Sequence, residues 1–166
     1  MIKLRDVNSL DELGSKFMYE LLRIRSQEDD PYVNISHRAL PSWEDHAAFV
    51  LSKPYYLWFL IQAQDVTKQG IQWAWVGSLS VTDRNEIGIM LSPHYRRRGI
   101  AREAIQHLLN IYPPLPEKPS HRPGTFVANI NPANLASIKL FTGLGAVHIQ
   151  NTYQFQEREH GKRNTD

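Results

Sequence analysis

Cysteine is absent from the 166 residues. That removes a disulfide framework, a cysteine nucleophile and thiolate metal ligands together, and makes a reducing, cytoplasmic setting the expectation. Long hydrophobic runs are missing too: the longest, at 55–61, falls far short of the roughly 20 residues that cross a bilayer. Met1 opens on Ile2-Lys3-Leu4-Arg5-Asp6 rather than on an apolar leader. A soluble chain with no membrane partner is expected. Charge of one sign is scarce, 19 basic residues against 17 acidic ones for a net +2 with histidine neutral. Attraction of the whole chain to nucleic acid is therefore weak, and any anion site must be local. The seven histidines show no H-E-x-x-H or similar spacing, so no metal is expected.

What is present suits one domain over residues 1–156, followed by a polar tail over 157–166. Ile2 and Leu4 alternate with charged neighbours, as in an edge strand, and Ser9 offers a cap for a helix running to about Arg25. Residues 26–41 lack a period and read as a loop. Ser42-Trp43-Glu44-Asp45 resembles a capping box, and the helix it starts closes at Lys53-Pro54. Strands are expected at 55–62 and 72–81 around a turn at 65–70, and the turn 82–85 leads into another. The proline-rich 113–124 cannot join a sheet. A strand at 125–128, a helix capped by Asn131 with Pro132 at its first position, and a last hairpin about Gln150-Asn151 complete the order. The class is α/β (α+β): a mixed, mostly antiparallel central sheet with about four flanking helices.

One stretch carries most of the chemistry. Residues 86–101 read E-I-G-I-M-L-S-P-H-Y-R-R-R-G-I-A, a short apolar strand ended by Pro93, then a basic turn, then helical spacing from Ile100. A helix start presents unpartnered N–H groups and about half a positive charge, so it draws an anionic phosphate. Gly99 lets backbone approach closely, Ala101 keeps the approach open, and Arg96, Arg97 and Arg98 add charge. A solvated basic turn before an ordinary helix fits these residues about as well.

The surroundings favour the cradle. Arg96, Gly99 and Ala101 match the pyrophosphate signature of the GNAT superfamily of N-acetyltransferases, and Asn134, Ser137, Leu140, Phe141 and Leu144-Gly145 approach its second pattern. With the order of elements, the chain resembles that superfamily from residue 1 to about 155. The resemblance implies acetyl-CoA as acetyl donor and a splayed strand pair, 86–91 and 125–130, holding its arm. It implies direct attack by a primary amine in a ternary complex. Cofactor contacts would come from Ile89, Met90, Leu91, Arg96, Arg97, Arg98, Gly99, Ile100, Ala101, Asn129, Asn134, Ser137 and Phe141, with a backbone N–H near Met90 as the oxyanion donor. Ala146 replaces the usual phenylalanine. Phe141 stands where many members have an acid tyrosine, which leaves Tyr153 as a candidate substitute.

Family members often carry a carboxylate at the start of the motif strand, so the resemblance makes Glu86 the first candidate base, against a solvated turn glutamate beside Arg84; His46 and His37 are weaker candidates. The resemblance also implies that acceptor choice lies in 26–44 and the last hairpin, which flank the cofactor cleft in that family, with Tyr32, His37 and Trp43 as substrate contacts. The runs N-I-S-H, P-S-W-E-D-H and K-P-Y-Y-L-W-F-L-I look like those of GNAT enzymes acting on nucleotide-linked amino sugars. Protein N-termini or lysines, modified nucleobases, and a silent acyl-CoA-binding module remain alternatives, as do monomer and homodimer.

Overall fold

Among the described residues four strands, β1 (Ile2–Asp6), β2 (Leu57–Thr67), β3 (Gly70–Val81) and β4 (Ile87–Leu91), form an antiparallel sheet of order β1-β2-β3-β4; β1 alternates apolar and polar residues, whereas 57–61 of β2 is apolar throughout because both faces of the sheet are covered there. The computed structural model describes residues 1–9, 12–27, 40–67 and 70–152. Among these residues four α-helices join the sheet: α1 (Glu12–Ser26), α2 (Trp43–Leu51), α3 (Ile100–Ile111) and α4 (Leu135–Thr142). The mixed, mostly antiparallel class expected from the sequence is what forms.

The sheet buries both faces, differently. Phe59, Ile61, Leu79, Val81 and Ile87 pack with Ile100, Ala104, Ile105 and Leu108 of α3, the main core. On the opposite face Leu60 joins Val7 and Met18, flanked by Phe17, Val50, Trp58 and Trp75 under α1 and α2. At about 25 cal/mol per Å² of apolar surface, the larger cluster supplies most of the cohesion. A register shift between Ile61 and Gln62 places Gly77 where an added Cβ would overlap the Met90 carbonyl and the Leu91 side chain. Gly77→Ala should therefore destabilise the fold by about 1–3 kcal/mol, seen as a lowered denaturation midpoint.

Ser42 caps α2, its hydroxyl accepting from the Asp45 N–H at 3.0 Å. Ser9 does not cap α1: it lies ahead of the helix and its hydroxyl donates to the Asp6 carbonyl (2.8 Å). The expected turn at 65–70 is mostly strand, because Asp65 pairs with Gln72 and Thr67 with Gly70. Asn131 is not the cap of α4. Its side chain takes the Ala133 N–H (2.9 Å) in a turn of its own, and Asn134 is the cap, accepting from the Ser137 N–H (3.0 Å). Asn-Pro thus initiates a turn one step before the helix.

Two expected strands differ in kind. Residues 125–128 contribute a single parallel bridge, Glu86 with Val127, sealed by Ile87 N–H to Val127 O (2.8 Å) and Val127 N–H to Asn85 O (3.0 Å). Residues 146–152 form no strand; Val147 and Ile149 are 78% and 75% exposed. Alternation alone does not make a strand, which needs a partner ladder, and 153–155, the rest of the expected hairpin, lie outside the described residues.

Asn85, 0% exposed and at φ +61°, ties these pieces together. Its amide donates to the carbonyls of Leu115 (2.9 Å) and Pro123 (2.7 Å), and its oxygen accepts from the Leu115 N–H (2.8 Å). The proline-rich link is thereby pinned to the turn that begins β4, and every polar atom of a fully buried amide is satisfied as burial requires.

Candidate active site

Beyond the Val127 bridge, β4 and the chain at 128–131 part, and a cleft of about 430 Å³ opens between them and runs across the sheet toward α1 and α2. One wall is Ile89, Met90, Asn129, Asn134, Ser137 and Phe141; the other is Met18, Leu22, Arg25, His46, Tyr55 and Trp58. Ser78, Ser80, Thr82 and Glu86 lie on the floor between them.

The ladder decides which backbone groups face the opening. Ser78 pairs with Met90 and Ser80 with Gly88, between Thr82 N–H to Glu86 O (3.1 Å) and Ser92 N–H to Val76 O (2.9 Å). Bonded pairs recur at every second residue, so the N–H of Met90 points at β3 and is taken. Those of Ile89 and Leu91 point the other way, into the splay. The oxyanion donor expected near Met90 would therefore be the N–H of Ile89 or Leu91.

At the far end, a 3₁₀ turn over Pro93–Tyr95 leads to Arg97 at φ +60° and Gly99 at φ +77°, the N-cap of α3. The first bond closing the helix is Glu103 N–H to Gly99 O (3.0 Å), which leaves the N–H groups of Ile100, Ala101 and Arg102 directed out of the helix end. A Cβ on Gly99 would meet nothing within 4 Å, so the space before these donors is open. Arg97 and Arg98 are exposed, Arg98 over the Tyr95 ring at 5.2 Å. Arg96 is half-buried and its Nε donates to the Leu91 carbonyl (3.1 Å), bracing the loop onto β4. The Tyr95 hydroxyl donates to Asp65 (2.9 Å), and burial first, then that bond, pushes its pKa above the ordinary phenol value. It stays a neutral tether between the loop and the β2–β3 hairpin.

Glu86 is half-buried, its N–H donating to Thr82 Oγ1 (3.2 Å). Its carboxylate has no ion-pair partner among the described residues, Arg84 included, and it faces the cleft. His46, 3% exposed, is wedged against Tyr19 and Trp43, with ring centroids 5.4 and 6.1 Å away. Burial lowers its pKa, opposed by a hydrogen bond to the Ser15 backbone. Its Nε2 is buried with no hydrogen-bond partner among the described residues. Trp43 meets Tyr19 edge-on (5.5 Å) behind His46 and does not line the cleft. Tyr32, His37 and Tyr153 lie outside the described residues. No group of three or more metal-ligating side chains occurs among the described residues.

Burial of a neutral imidazole has a thermodynamic signature. The unfolded chain takes up a proton near pH 6.5, the folded one only at lower pH, so the unfolded state binds more protons in between and stability rises with pH there. It is lost as pH falls from about 6.5 through the folded value, by at most about 1.4 kcal/mol per unit. Denaturant titrations at pH 5 and 7 should show this dependence in the wild type and a smaller one in His46→Gln.

A domain from Methanocaldococcus jannaschii shares 21% identity over 87% of each chain at a TM-score of 0.60. Phosphinothricin acetyltransferase from Sinorhizobium meliloti, solved with acetyl-CoA, shares 20% over 87% of this chain and 74% of its own, TM-score 0.58. YncA, a putative acetyltransferase from Salmonella typhimurium solved with its cofactor acetyl-CoA, shares 16% over 87% and 79%, TM-score 0.57. Among curated proteins none matches in sequence. At these identities the structures speak for the fold. Residues 20–147 match the Acetyltransferase (GNAT) domain family. The chain belongs to the GNAT family.

GNAT acetyltransferases take acetyl-CoA as acetyl donor, and the residues here fit it: outward N–H groups on α3, open space before Gly99, and strand N–H groups in the splay that are unpaired among the described residues. Ile100, Ala101 and Arg102 would hold the pyrophosphate and Ile89 and Leu91 the arm, beside Phe141. Phe141, with 9% exposure, also packs into the main core, and Asn134 serves α4 as its cap. Sequence reading passed over Ser78, Ser80 and Arg25, and reached Tyr55 and Trp58 only as members of the run K-P-Y-Y-L-W-F-L-I. A signal was there for the serines: in S-L-S-V-T at 78–82 only the apolar residues are core, and a hydroxyl row on a sheet face under helices is unusual for packing.

Proposed function

We propose that this GNAT protein moves the acetyl group of acetyl-CoA to the primary amine of a nucleotide-linked amino sugar, by direct attack in a ternary complex. The carrying observation is that one cleft joins the splayed cofactor wall to the aromatic wall, with the Glu86 carboxylate where they meet. Two of the three amino-sugar-like runs supply His46, Tyr55 and Trp58 to that second wall.

When bound, acetyl-CoA supplies the acetyl group as an activated thioester. The N–H groups of Ile89 and Leu91 are fixed donors for charge developing on a carbonyl oxygen in the splay, a contribution of about 3–4 kcal/mol in comparable sites. Glu86 accepts the ammonium proton, directly or through water, because only the neutral amine attacks. Phe141 brings no proton, and a thiol with an ordinary pKa near 8.5 leaves with little help.

Thiol release measured across nucleotide-linked amino sugars, polyamines, peptides and modified nucleosides tests this. Release with the amino sugars supports the reading; release with peptides or nucleosides alone overturns the acceptor; no release with any amine overturns acetyl transfer in favour of a silent acyl-CoA binder.

A further inference from the structure

The floor of the cleft is polar where packing would make it apolar. On β3, Leu79 and Val81 are fully buried in the main core, while Ser78 and Ser80 face the cleft on the opposite side, half-exposed. Thr82 continues the row, but its hydroxyl oxygen already accepts the N–H groups of Arg84 (3.1 Å) and Glu86 (3.2 Å) in the turn. The side-chain hydroxyls of Ser78 and Ser80 have no such partner among the described residues. Gly88 stands opposite Ser80, and a Cβ there would come 2.9 Å from the Ser80 hydroxyl oxygen, so the glycine is what leaves that hydroxyl room. Trp58 pairs with Ser80 from the other side, its ring edge-on to Tyr55 at 4.8 Å. A second kind of observation points the same way: His46, on the wall of this cleft, is 3% exposed with its Nε2 unpartnered among the described residues.

We propose that Ser78, Ser80 and His46 form a hydroxyl-reading patch that selects polyhydroxylated amines, with Trp58 as the surface against which the ligand ring lies. This deepens, and rests on, the reading of the cleft as the acceptor site. Residues two apart on a strand are about 7 Å apart, on the scale of one sugar ring, so both serines reach the same ring. The serine hydroxyls are half-exposed and hydrated in the open cleft, but a ligand ring lying over them displaces that water, and a site built around such groups then rejects a ligand lacking the matching hydroxyls far more strongly than an apolar pocket rejects an extra one. An aliphatic amine of similar size leaves the patch unsatisfied. A hydroxylated one satisfies it, and the two serines stand opposite Met90 and Gly88, on the strand that Glu86 leads into.

The test compares an amino hexose with cyclohexylamine, using kcat/KM for acetyl transfer and calorimetric binding to protein saturated with coenzyme A. Wild type should favour the amino hexose in both. In Ser80→Ala and Ser78→Ala that preference should fall about fivefold for each hydroxyl removed, in the acceptor's KM rather than in that of acetyl-CoA. Equal binding of both amines by wild type, or equal losses for both in the variants, overturns the patch. Serine-dependent binding without turnover keeps the patch and overturns acetyl transfer, and turnover without preference does the reverse.

Discussion

Gly99→Asp is expected to lower acetyl-CoA affinity by about 100-fold or more while leaving a folded protein. Three effects act together. Gly99 sits at φ +77°, where a side chain is strained by about 1–2 kcal/mol, though aspartate tolerates that region better than most. Its side chain would project into space that nothing in the protein fills, the space a pyrophosphate needs. A carboxylate at an N-cap also draws the first helical N–H groups to itself, and these are the donors of Ile100, Ala101 and Arg102 that the phosphate requires. Two charge-assisted hydrogen bonds at about 1.5–3 kcal/mol each already exceed the roughly 2.7 kcal/mol that a 100-fold loss represents. Self-capping partly offsets the backbone strain, so the melting temperature should move little. Gly99→Ala separates the causes: it carries the strain and a methyl group but no charge, and should lose less. Calorimetry with coenzyme A reads both variants; unchanged affinity in Gly99→Asp would remove the cradle assignment.

The cradle was legible because its logic is local. Pro93 ends a strand, Gly99 and Ala101 are small where backbone must be approached, and Ile100, Ala104, Ile105 and Leu108 follow at helical spacing. The cap at Ser42 was legible for the same reason. What escaped depends on partners distant in sequence. Asn85 looked like one more turn residue, yet its amide fastens 115 and 123 to the start of β4, pairings that no periodicity reveals. The direction of each strand N–H follows from register, so a donor near Met90 narrows to Ile89 and Leu91 only through the pairing of β3 with β4. Asn131 and Asn134 are equivalent as caps by residue type; the contest is settled by which side chain finds the first helical N–H. The acceptor wall was half legible: the sequence marks 55–62 as a strand and its aromatic run as amino-sugar-like, and only the fold brings Tyr55 and Trp58 to one cleft with His46 and the serines.

Glu86→Gln should lower kcat/KM by about 100-fold or more at neutral pH, the range typical of a positioned base, with the loss shrinking as pH rises. The reason lies in the acceptor. An alkylamine with a pKa near 10.4 is almost wholly protonated at pH 7, at a cost of roughly 4 kcal/mol to neutralise, and the neutral fraction grows tenfold per unit until the amine titrates. A base is worth most where that fraction is smallest. Above the amine's pKa the reaction no longer needs one, and the two enzymes should converge. An amino sugar is less basic, so its convergence comes at lower pH, which makes the crossover a reading of the acceptor as well as of Glu86. The substitution is close to silent for the fold, since Glu86 holds its place through its own backbone: its N–H on Thr82 Oγ1, its carbonyl on Thr82 N–H, and its bridge to Val127. A loss of equal size at every pH would instead mean that the carboxylate orients the acceptor without taking its proton. His46→Gln supplies the contrast: if His46 were the base, the pH-dependent loss would move to that variant and Glu86→Gln would be nearly flat.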